Sequence, residues 1–115
     1  MIELIVRKYY SSVDAQDLET LLALFASDAW YERPGYARMT GTADLRKFYS
    51  DQRMIDEGRH TIDRLVKTDD QVIVQGEFAG HLKDGRRVSL RFADFFEMEA
   101  ALIAGRRTYF FTALV

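Results

Sequence analysis

Asp94 is the residue whose place in the sequence most strongly indicates chemistry. Six alternating residues share one face of a predicted strand, and all but Asp94 are large and apolar: Val88, Leu90, Phe92, Asp94, Phe96 and Met98. An ionised carboxylate is costly to bury without a partner. Asp94 is therefore expected to bond a backbone amide or an arginine for structural reasons, or to be a pocket acid that keeps its proton. A register slip that exposes it is the third alternative.

Tyr9 is the second candidate, because it lies on the apolar stripe of a predicted first helix over residues 2–13. Buried tyrosines usually find a polar partner for the hydroxyl group. One interpretation is simple packing. The other is a phenol beside Asp94, so that the two side chains donate two hydrogen bonds to one ligand oxygen.

Four further residues could move protons or bind charge. His60 begins one predicted strand and His81 ends the next, and either could act as acid or base near neutral pH or be structural. Asp14 lies in a predicted turn, where aspartate is common for conformational reasons alone. Arg33 precedes a Pro-Gly turn and is either a surface group or, inside a cavity, a partner for an anionic or carbonyl-bearing ligand.

The elements that must position these residues follow from hydrophobic periodicity. Helices are predicted over 2–13, over 18–27 with Asp17 as N-cap, and from Gly41-Thr42, with Thr42 as N-cap, to a stop before Gly58. Strands are predicted over 29–33, 59–68, 71–82, 87–98 and 101–112. The predicted class is α+β: a cone-shaped, curved antiparallel sheet of about four long strands and a short one, packed with three N-terminal helices around a central cavity.

Composition excludes several classes of function. A chain of 115 residues fits one domain over 1–115, and 16 Lys+Arg against 18 Asp+Glu leave no basic excess for nucleic acid. Cysteine is absent, the two histidines lie far apart, and no glycine-rich phosphate loop follows a strand, so neither a metal nor another cofactor is expected. No apolar run approaches a membrane span and the first residues lack signal-peptide features, so we expect a cytoplasmic protein without membrane contact.

The outer face of the sheet predicts an oligomer. The strand over 71–82 is apolar on both faces, with Val72, Val74 and Phe78 on one and Ile73 and Ala79 on the other. The last strand has Ile103, Tyr109 and Phe111 on one face and Ala104 and Phe110 on the other. Helices cover one side only, so a homodimer through the outer face is expected, with coverage by the C-terminal tail as the alternative.

Several sequence runs carry a family resemblance that spans essentially the whole chain. These runs are YYSSVDAQDL leading into LALFASDA, then GTADLRKFY, FADFF and GRRTYF. They resemble nuclear transport factor 2-like proteins, and more closely the SnoaL-like polyketide cyclase and ketosteroid isomerase group. The resemblance places that group's oxyanion-hole tyrosine at Tyr9 and its protonated aspartic acid at Asp94. The general base falls on Arg33, which cannot abstract a proton.

Two more distant relatives of that fold bear on the other candidates. Asp14 and His60 occupy positions similar to catalytic residues of scytalone dehydratase, whose second histidine falls one residue from His81 and hence on the opposite strand face. The Asp-Arg-Asp arrangement of limonene epoxide hydrolase falls on Glu77, Gln75 and Thr108. The arginine and one aspartate are missing, so epoxide hydrolysis is not expected.

The resulting expectation is a pocket protein for a small apolar carbonyl compound, acting as an acid/base enzyme of the isomerase, cyclase or dehydratase type. Its predicted catalytic residues are Asp94, Tyr9, His60 and Asp14. Its predicted substrate-binding residues are Arg33, Phe48, Glu77, His81, Phe96, Thr108 and Phe110. The alternative is a non-catalytic ligand-binding or dimerisation module of the same fold.

Overall fold

Three helices and six strands form an α+β fold in a computed structural model that describes residues 1–53 and 55–111. The helices are α1 (Ile2–Asp14), α2 (Leu18–Ala23) and α3 (Gly41–Lys47), which a π-helical turn (Phe48–Gln52) extends. The strands are β1 (Phe25–Glu32), β2 (Met39–Thr40), β3 (Ile55–Lys67), β4 (Gln71–Leu82), β5 (Arg87–Glu99) and β6 (Leu102–Phe110). Within these ranges no helix is long and apolar enough to cross a membrane.

The six strands form one curved, open sheet in the order β2-β1-β6-β5-β4-β3. Neighbours pair antiparallel except β1 and β6, which are parallel. Helices cover the concave face, as predicted for a cone-shaped α+β protein. The four long strands follow the predicted meander closely, because each hairpin connection is short and each strand alternates inward and outward residues.

Aromatic rings lie directly on glycines along the concave face. The Phe92 ring lies over Gly76, and the Phe78 ring lies over Gly58 and Gly80. A glycine leaves room for a ring to pack flat on the backbone of the next strand. Register shifts in the β3–β4 ladder add local twist, so large side chains fill the cone without separating the strands.

Two predicted boundaries are wrong near β1. The second helix was expected to continue to Ser27, but it ends at Ala23 and β1 begins at Phe25. The Ile103 amide donates to the Leu24 carbonyl at 2.9 Å, and Phe25 pairs with Ile103. Sheet pairing therefore overrides the helical pattern there. Residues 25–28, which begin β1, were not predicted to be part of a strand. The short β2, which pairs with Trp30 and Tyr31, was not predicted either.

The predicted N-cap of the third helix is also wrong. Thr40, not Thr42, occupies that position, and the helix begins at Gly41. Gly41 has a φ of +86°, a backbone conformation that residues with a side chain rarely adopt. The glycine therefore allows the chain to turn from β2 into α3. The Asp44 carboxylate then accepts a hydrogen bond from the Thr40 amide at 2.9 Å and fixes the start of the helix.

The predicted faces of β6 are wrong, because the strand contains a bulge. Ile103 was expected on one face with Tyr109 and Phe111, but Ile103 is buried whereas Tyr109 and Phe111 are exposed. Met98 pairs with Ile103 and Glu97 with Gly105, so one extra residue of β6 lies between them. An extra residue reverses the alternation. Arg106 and Thr108 therefore point into the cone.

We predict that Gly76→Ala destabilises the protein by about 1–3 kcal/mol, the usual cost of an overpacked site. The added methyl group would overlap the Thr61 carbonyl oxygen on β3 and press on the Phe92 ring. Urea unfolding measures the change. Gln75→Ala, at the neighbouring exposed position, is the control; equal small effects of the two substitutions would contradict the packing argument.

Candidate functional site

A buried ion pair lies at the centre of the cone. Asp94 is fully buried, and Nη2 of the equally buried Arg106 donates to Asp94 Oδ2 at 2.9 Å. The Tyr10 hydroxyl donates to the same oxygen at 2.5 Å, and the Thr108 hydroxyl donates to Oδ1. Of the three alternatives for Asp94, the structure therefore has the carboxylate with an arginine partner, and its oxygens have three side-chain donors.

Arg106 also joins Asp94 to Tyr9. Its Nη1 donates to the Tyr9 hydroxyl and, at 3.2 Å, to the Tyr49 hydroxyl, while the two hydroxyl groups are 2.6 Å apart. The guanidinium group lies 4.7 Å from the centre of the Tyr9 ring and 4.5 Å from that of Tyr31. Arg106 thus binds both Tyr9 and Asp94, and its side chain occupies the space between them.

Electrostatics hold this cluster in one protonation state. Burial raises the pKa of Tyr9 and of Tyr10 well above the usual range, so both hydroxyl groups stay protonated as donors. Burial alone would lower the pKa of the Arg106 guanidinium. The Asp94 carboxylate and the tyrosine oxygens more than offset this, and the pKa of Arg106 lies well above the usual range.

Arg33 lies in an aromatic setting rather than in solvent. Its Nη1 donates to the Tyr31 hydroxyl at 3.1 Å. Its guanidinium carbon lies 5.3–5.4 Å from the ring centres of Tyr36, Phe48 and Phe110. The Nε atom is buried and has no hydrogen-bond partner among the residues that the structure describes. Arg33 is thus on the inner side of the sheet, the position that favours an anionic or carbonyl-bearing ligand.

Asp14 and His60 form a second polar pair, at the end of α1. Asp14 Oδ1 is 2.5 Å from His60 Nδ1, and Asp14 Oδ2 accepts from the His60 amide at 2.8 Å. A carboxylate only accepts hydrogen bonds, so Nδ1 carries a proton, and Nε2 makes no hydrogen bond to another residue within 1–53 or 55–111. An open groove of about 360 Å³ between α1 and β3 is lined in part by Tyr10, Asp14 and His60.

The His60 ring is 10% exposed and packs among aromatic side chains of the inner face. Its centre is 5.1 Å from that of Tyr10, 4.8 Å from Phe78 and 5.5 Å from Phe92. Tyr10 therefore contacts both polar groups, since its ring touches His60 and its hydroxyl group binds Asp94. An imidazole in such surroundings can exchange a proton with a ligand away from bulk water.

The remaining predicted site residues divide into two groups. Phe48, Phe96 and Thr108 are buried on the inner side of the sheet. Glu77 is exposed on the outer side, and His81 is 41% exposed at the end of β4, with Nδ1 3.6 Å from a Glu57 oxygen. The structure does not bring Glu77 or His81 to the ion pair. Within residues 1–53 and 55–111, no group of three His, Cys, Asp or Glu side chains is arranged to hold a metal ion.

Sequence reasoning missed Tyr10, Tyr49 and Arg106 as members of the central cluster. Arg106 carried a usable signal, because it lies two residues before Thr108 and therefore on the same face of a strand. Tyr10 lay on the same apolar helix stripe as Tyr9. Which of two adjacent tyrosines reaches Asp94 depends on the rotation of α1, and periodicity does not fix that rotation.

A cavity of about 360 Å³ opens where α1, α2 and the π-helical turn meet the start of β3. We call it the mouth cavity; it is lined by Ser12, Val13, Gln16, Leu18, Leu21, Tyr49, Ser50, Arg53, Ile55, Asp56 and Lys83. Burial lowers the pKa of Arg53, the nearby Tyr9 and Tyr49 oxygens raise it, and the charges of Arg33 and Arg106 lower it by smaller amounts. Tyr49 belongs both to this wall and to the Arg106 cluster, so the mouth cavity borders the central ion pair.

Two neighbouring arginines of β6 provide a matched test of the buried pair. Asp94→Asn leaves the buried Arg106 without a carboxylate and should destabilise the protein by about 3–5 kcal/mol. Glu32→Gln removes the carboxylate that binds Arg107 at 2.7 Å on the half-exposed outer side, and should cost much less because solvent screens that pair. Chemical denaturation measures both changes; equal costs would show that Asp94 contributes no more than a surface pair.

The comparisons with known proteins agree with the α+β cone fold described above. The sequence profile of the SnoaL-like domain matches residues 6–106. An NTF2-like protein of unknown function from Burkholderia pseudomallei is similar in structure, with a TM-score of 0.85 and 20% identity over 95% of this chain and 89% of that chain. A ketosteroid isomerase-like protein from Catenulispora acidiphila, in complex with trimethylamine, has a TM-score of 0.82 and 22% identity over 96% and 85%.

An LEH-like epoxide hydrolase from M. tuberculosis has a TM-score of 0.80 and 21% identity over 92% of this chain and 79% of that chain. At such identities these similarities show the fold alone. They come from an isomerase-like protein and an epoxide hydrolase, so the shared fold does not identify an activity. The profile match covers most of the chain, including α1 and the strands that carry Asp94 and Arg106. The chain therefore belongs to the SnoaL-like domain family and has the nuclear transport factor 2-like cone fold.

Proposed function

We propose that this protein is an acid/base enzyme for a small apolar carbonyl compound, with His60 as the group that transfers the proton. One observation carries the proposal. Asp14 holds both the amide and Nδ1 of His60, while the rest of the ring lies in an aromatic, nearly dry setting. Such a pair fixes the tautomer of the imidazole and leaves Nε2 as the base.

The reaction class follows from what one base can do beside a carbonyl group. His60 removes a proton from the carbon next to the carbonyl group, and the electron pair moves towards the carbonyl oxygen. In an isomerisation the proton returns to another carbon. In a dehydration a hydroxyl group on the next carbon leaves with a proton as water. Either outcome needs a fixed base and an apolar setting, and neither needs a base at Arg33.

In this proposal Tyr9 and Asp94 act through Arg106 and are positioning residues. Asp94 holds the guanidinium group in place, and Tyr9 and Tyr49 orient its other edge. Through Tyr10, whose hydroxyl group binds Asp94 and whose ring packs on His60, this cluster holds the base in place. Arg33, Phe48, Phe96, Thr108 and Phe110 form the surrounding inner wall.

A second candidate function is a non-catalytic ligand-binding or dimerisation module of the same fold. The observation that favours it is the closed centre of the cone, where Arg106 occupies the place beside Asp94 and the surrounding rings of Tyr9, Tyr31, Phe48 and Phe96 are almost inaccessible. Loss of the proposed chemistry in every assay would make this the leading function.

We also propose a homodimer through the outer face of the sheet. Phe95 and Tyr109 are 41% and 52% exposed there, and their rings pack edge to face at 5.7 Å. Phe111 follows on the same side of the last strand and is 80% exposed. Adjacent apolar side chains of this size usually mark an interface.

The proton-transfer proposal is tested by hydrogen–deuterium exchange at carbon in D2O, followed by NMR across a panel of ketones and β-hydroxy ketones. His60→Gln should lower the exchange rate by about 10²–10⁴-fold, the usual contribution of a general base. Asp14→Asn should also lower it, because the tautomer of His60 is no longer fixed. Asp17→Asn, which alters the nearby N-cap of α2, should leave the rate unchanged.

Two results would contradict the proposal: wild-type protein that accelerates exchange in no member of the panel, or a His60→Gln variant as fast as wild type. Circular dichroism on each variant separates loss of chemistry from loss of fold.

The dimer is tested by sedimentation velocity. Tyr109→Glu places a charge in the proposed interface and should convert a dimer to a monomer. Leu4→Glu, at a 58% exposed apolar residue on α1, is the control and should leave the dimer intact. Wild-type protein that sediments as a monomer at every concentration would refute the interface.

A further inference from the structure

We propose that the mouth cavity binds the carboxylate group of an otherwise apolar ligand through Arg53. The mouth cavity shares no lining residue with the groove at His60, so the inference goes beyond the proposed function. The binding site itself is independent of the chemistry.

Among the residues that the structure describes, Arg53 is a guanidinium group without a side-chain partner. No ion pair or side-chain hydrogen bond joins it to another residue within 1–53 or 55–111. It is largely withdrawn from water, and burial lowers its pKa. Proteins rarely keep a desolvated charge unpaired, because its hydration is lost without compensation. An anionic ligand would supply the missing partner.

The local balance of charge points the same way. Arg33 and Arg106 lie close enough to Arg53 for their charges to act on it. Asp94 pairs with Arg106, whereas neither Arg33 nor Arg53 has a carboxylate partner in the described ranges. This side of the cone therefore has an excess of positive charge, and a negative ligand relieves the repulsion.

The backbone places Arg53 at the cavity by an uncommon device. The Arg53 amide donates to the Phe48 carbonyl at 2.9 Å, an i to i+5 bond that closes the π-helical turn. Such wide turns are rare and occur often at functional sites. Here the turn buries Phe48 in the core and brings Tyr49, Ser50 and Arg53 to the cavity wall together.

The rest of the lining selects the ligand. Polar side chains make up the larger part of the wall, and the apolar side chains of Val13, Leu18, Leu21 and Ile55 form a smaller part that suits the hydrocarbon or aromatic body of a ligand. A planar carboxylate matches the guanidinium fork in a paired geometry. Asp56 also lines the cavity and disfavours a more highly charged group such as a phosphate monoester. The volume of about 360 Å³ is enough for a small molecule of this kind.

Paired acid and amide ligands test the inference by isothermal titration calorimetry. The probes are 3-phenylpropanoate and 2-naphthylacetate, each compared with its neutral primary amide. Wild-type protein should bind the acids about 10- to 100-fold more tightly, as expected for a charge-assisted pair. Arg53→Gln should abolish that preference, and Arg53→Lys should retain part of it. Arg64→Gln removes an exposed arginine of β3 and should keep the full preference.

A second measurement separates ligand binding from folding. Since the Arg53 guanidinium group has no partner in the described ranges, Arg53→Met should not lower the melting temperature of the ligand-free protein, but it should abolish the rise that saturating 3-phenylpropanoate produces in wild type. A lower melting temperature without ligand would show that Arg53 is a structural residue and would overturn the inference.

Other outcomes are equally decisive. Equal affinity for acid and amide, no saturable binding of either probe pair, or a preference that survives Arg53→Gln overturns the inference even if His60→Gln abolishes carbon exchange. Conversely, an Arg53-dependent preference in a protein that exchanges no carbon-bound hydrogen supports the carboxylate site and refutes the proposed chemistry.

Discussion

The carboxylate of Asp94 and the guanidinium group of Arg106 face each other in the interior of the cone, where neither reaches water. Each charge would be prohibitive alone, so the geometry of the pair and of its remaining hydrogen bonds decides whether the fold is stable. Tyr10 and Thr108 donate hydrogen bonds to the carboxylate, while the Tyr9 and Tyr49 hydroxyl groups accept hydrogen bonds from the other edge of the guanidinium group. These partners come from α1, the π-helical turn and β6, so the pair ties the helices to the concave side of the sheet.

That constraint also bears on the proposed site of proton transfer. With Arg106 between Asp94 and Tyr9, the two side chains do not face a common ligand oxygen as they would in an oxyanion hole. The Asp14–His60 pair lies on the other side of Tyr10, whose ring packs on His60 at 5.1 Å. Tyr10 thus separates a cluster whose charges are internally compensated from an imidazole with an open ring nitrogen. The first group gives the cone its rigidity, and the second has the freedom that acid/base chemistry requires.

The sequence predicted much of this fold because alternation and short hairpins strongly determine the meander. The inward face of β5, with Asp94 among apolar residues, was predicted correctly for that reason. The face of β6 was not, since a single extra residue before Gly105 reverses every side chain that follows, and no periodicity reveals it. The parallel contact between β1 and β6, which shortened the second helix, joins residues far apart in sequence and is equally invisible to local patterns.

The site shows the same division between local and long-range information. The resemblance to scytalone dehydratase drew attention to Asp14 and His60 separately, and the structure joins them at 2.5 Å across 46 positions of sequence. Arg53 had no sequence signal, because an unpaired arginine looks like any surface arginine until the surrounding acids are located in space. Its position becomes informative only by contrast with Arg106, a neighbouring guanidinium group that binds one carboxylate and two tyrosine hydroxyl groups. Asp94 compensates the charge of the buried Arg106, whereas the partly buried Arg53 has no carboxylate partner in the described ranges, and this difference is the physical argument for a ligand at the cavity.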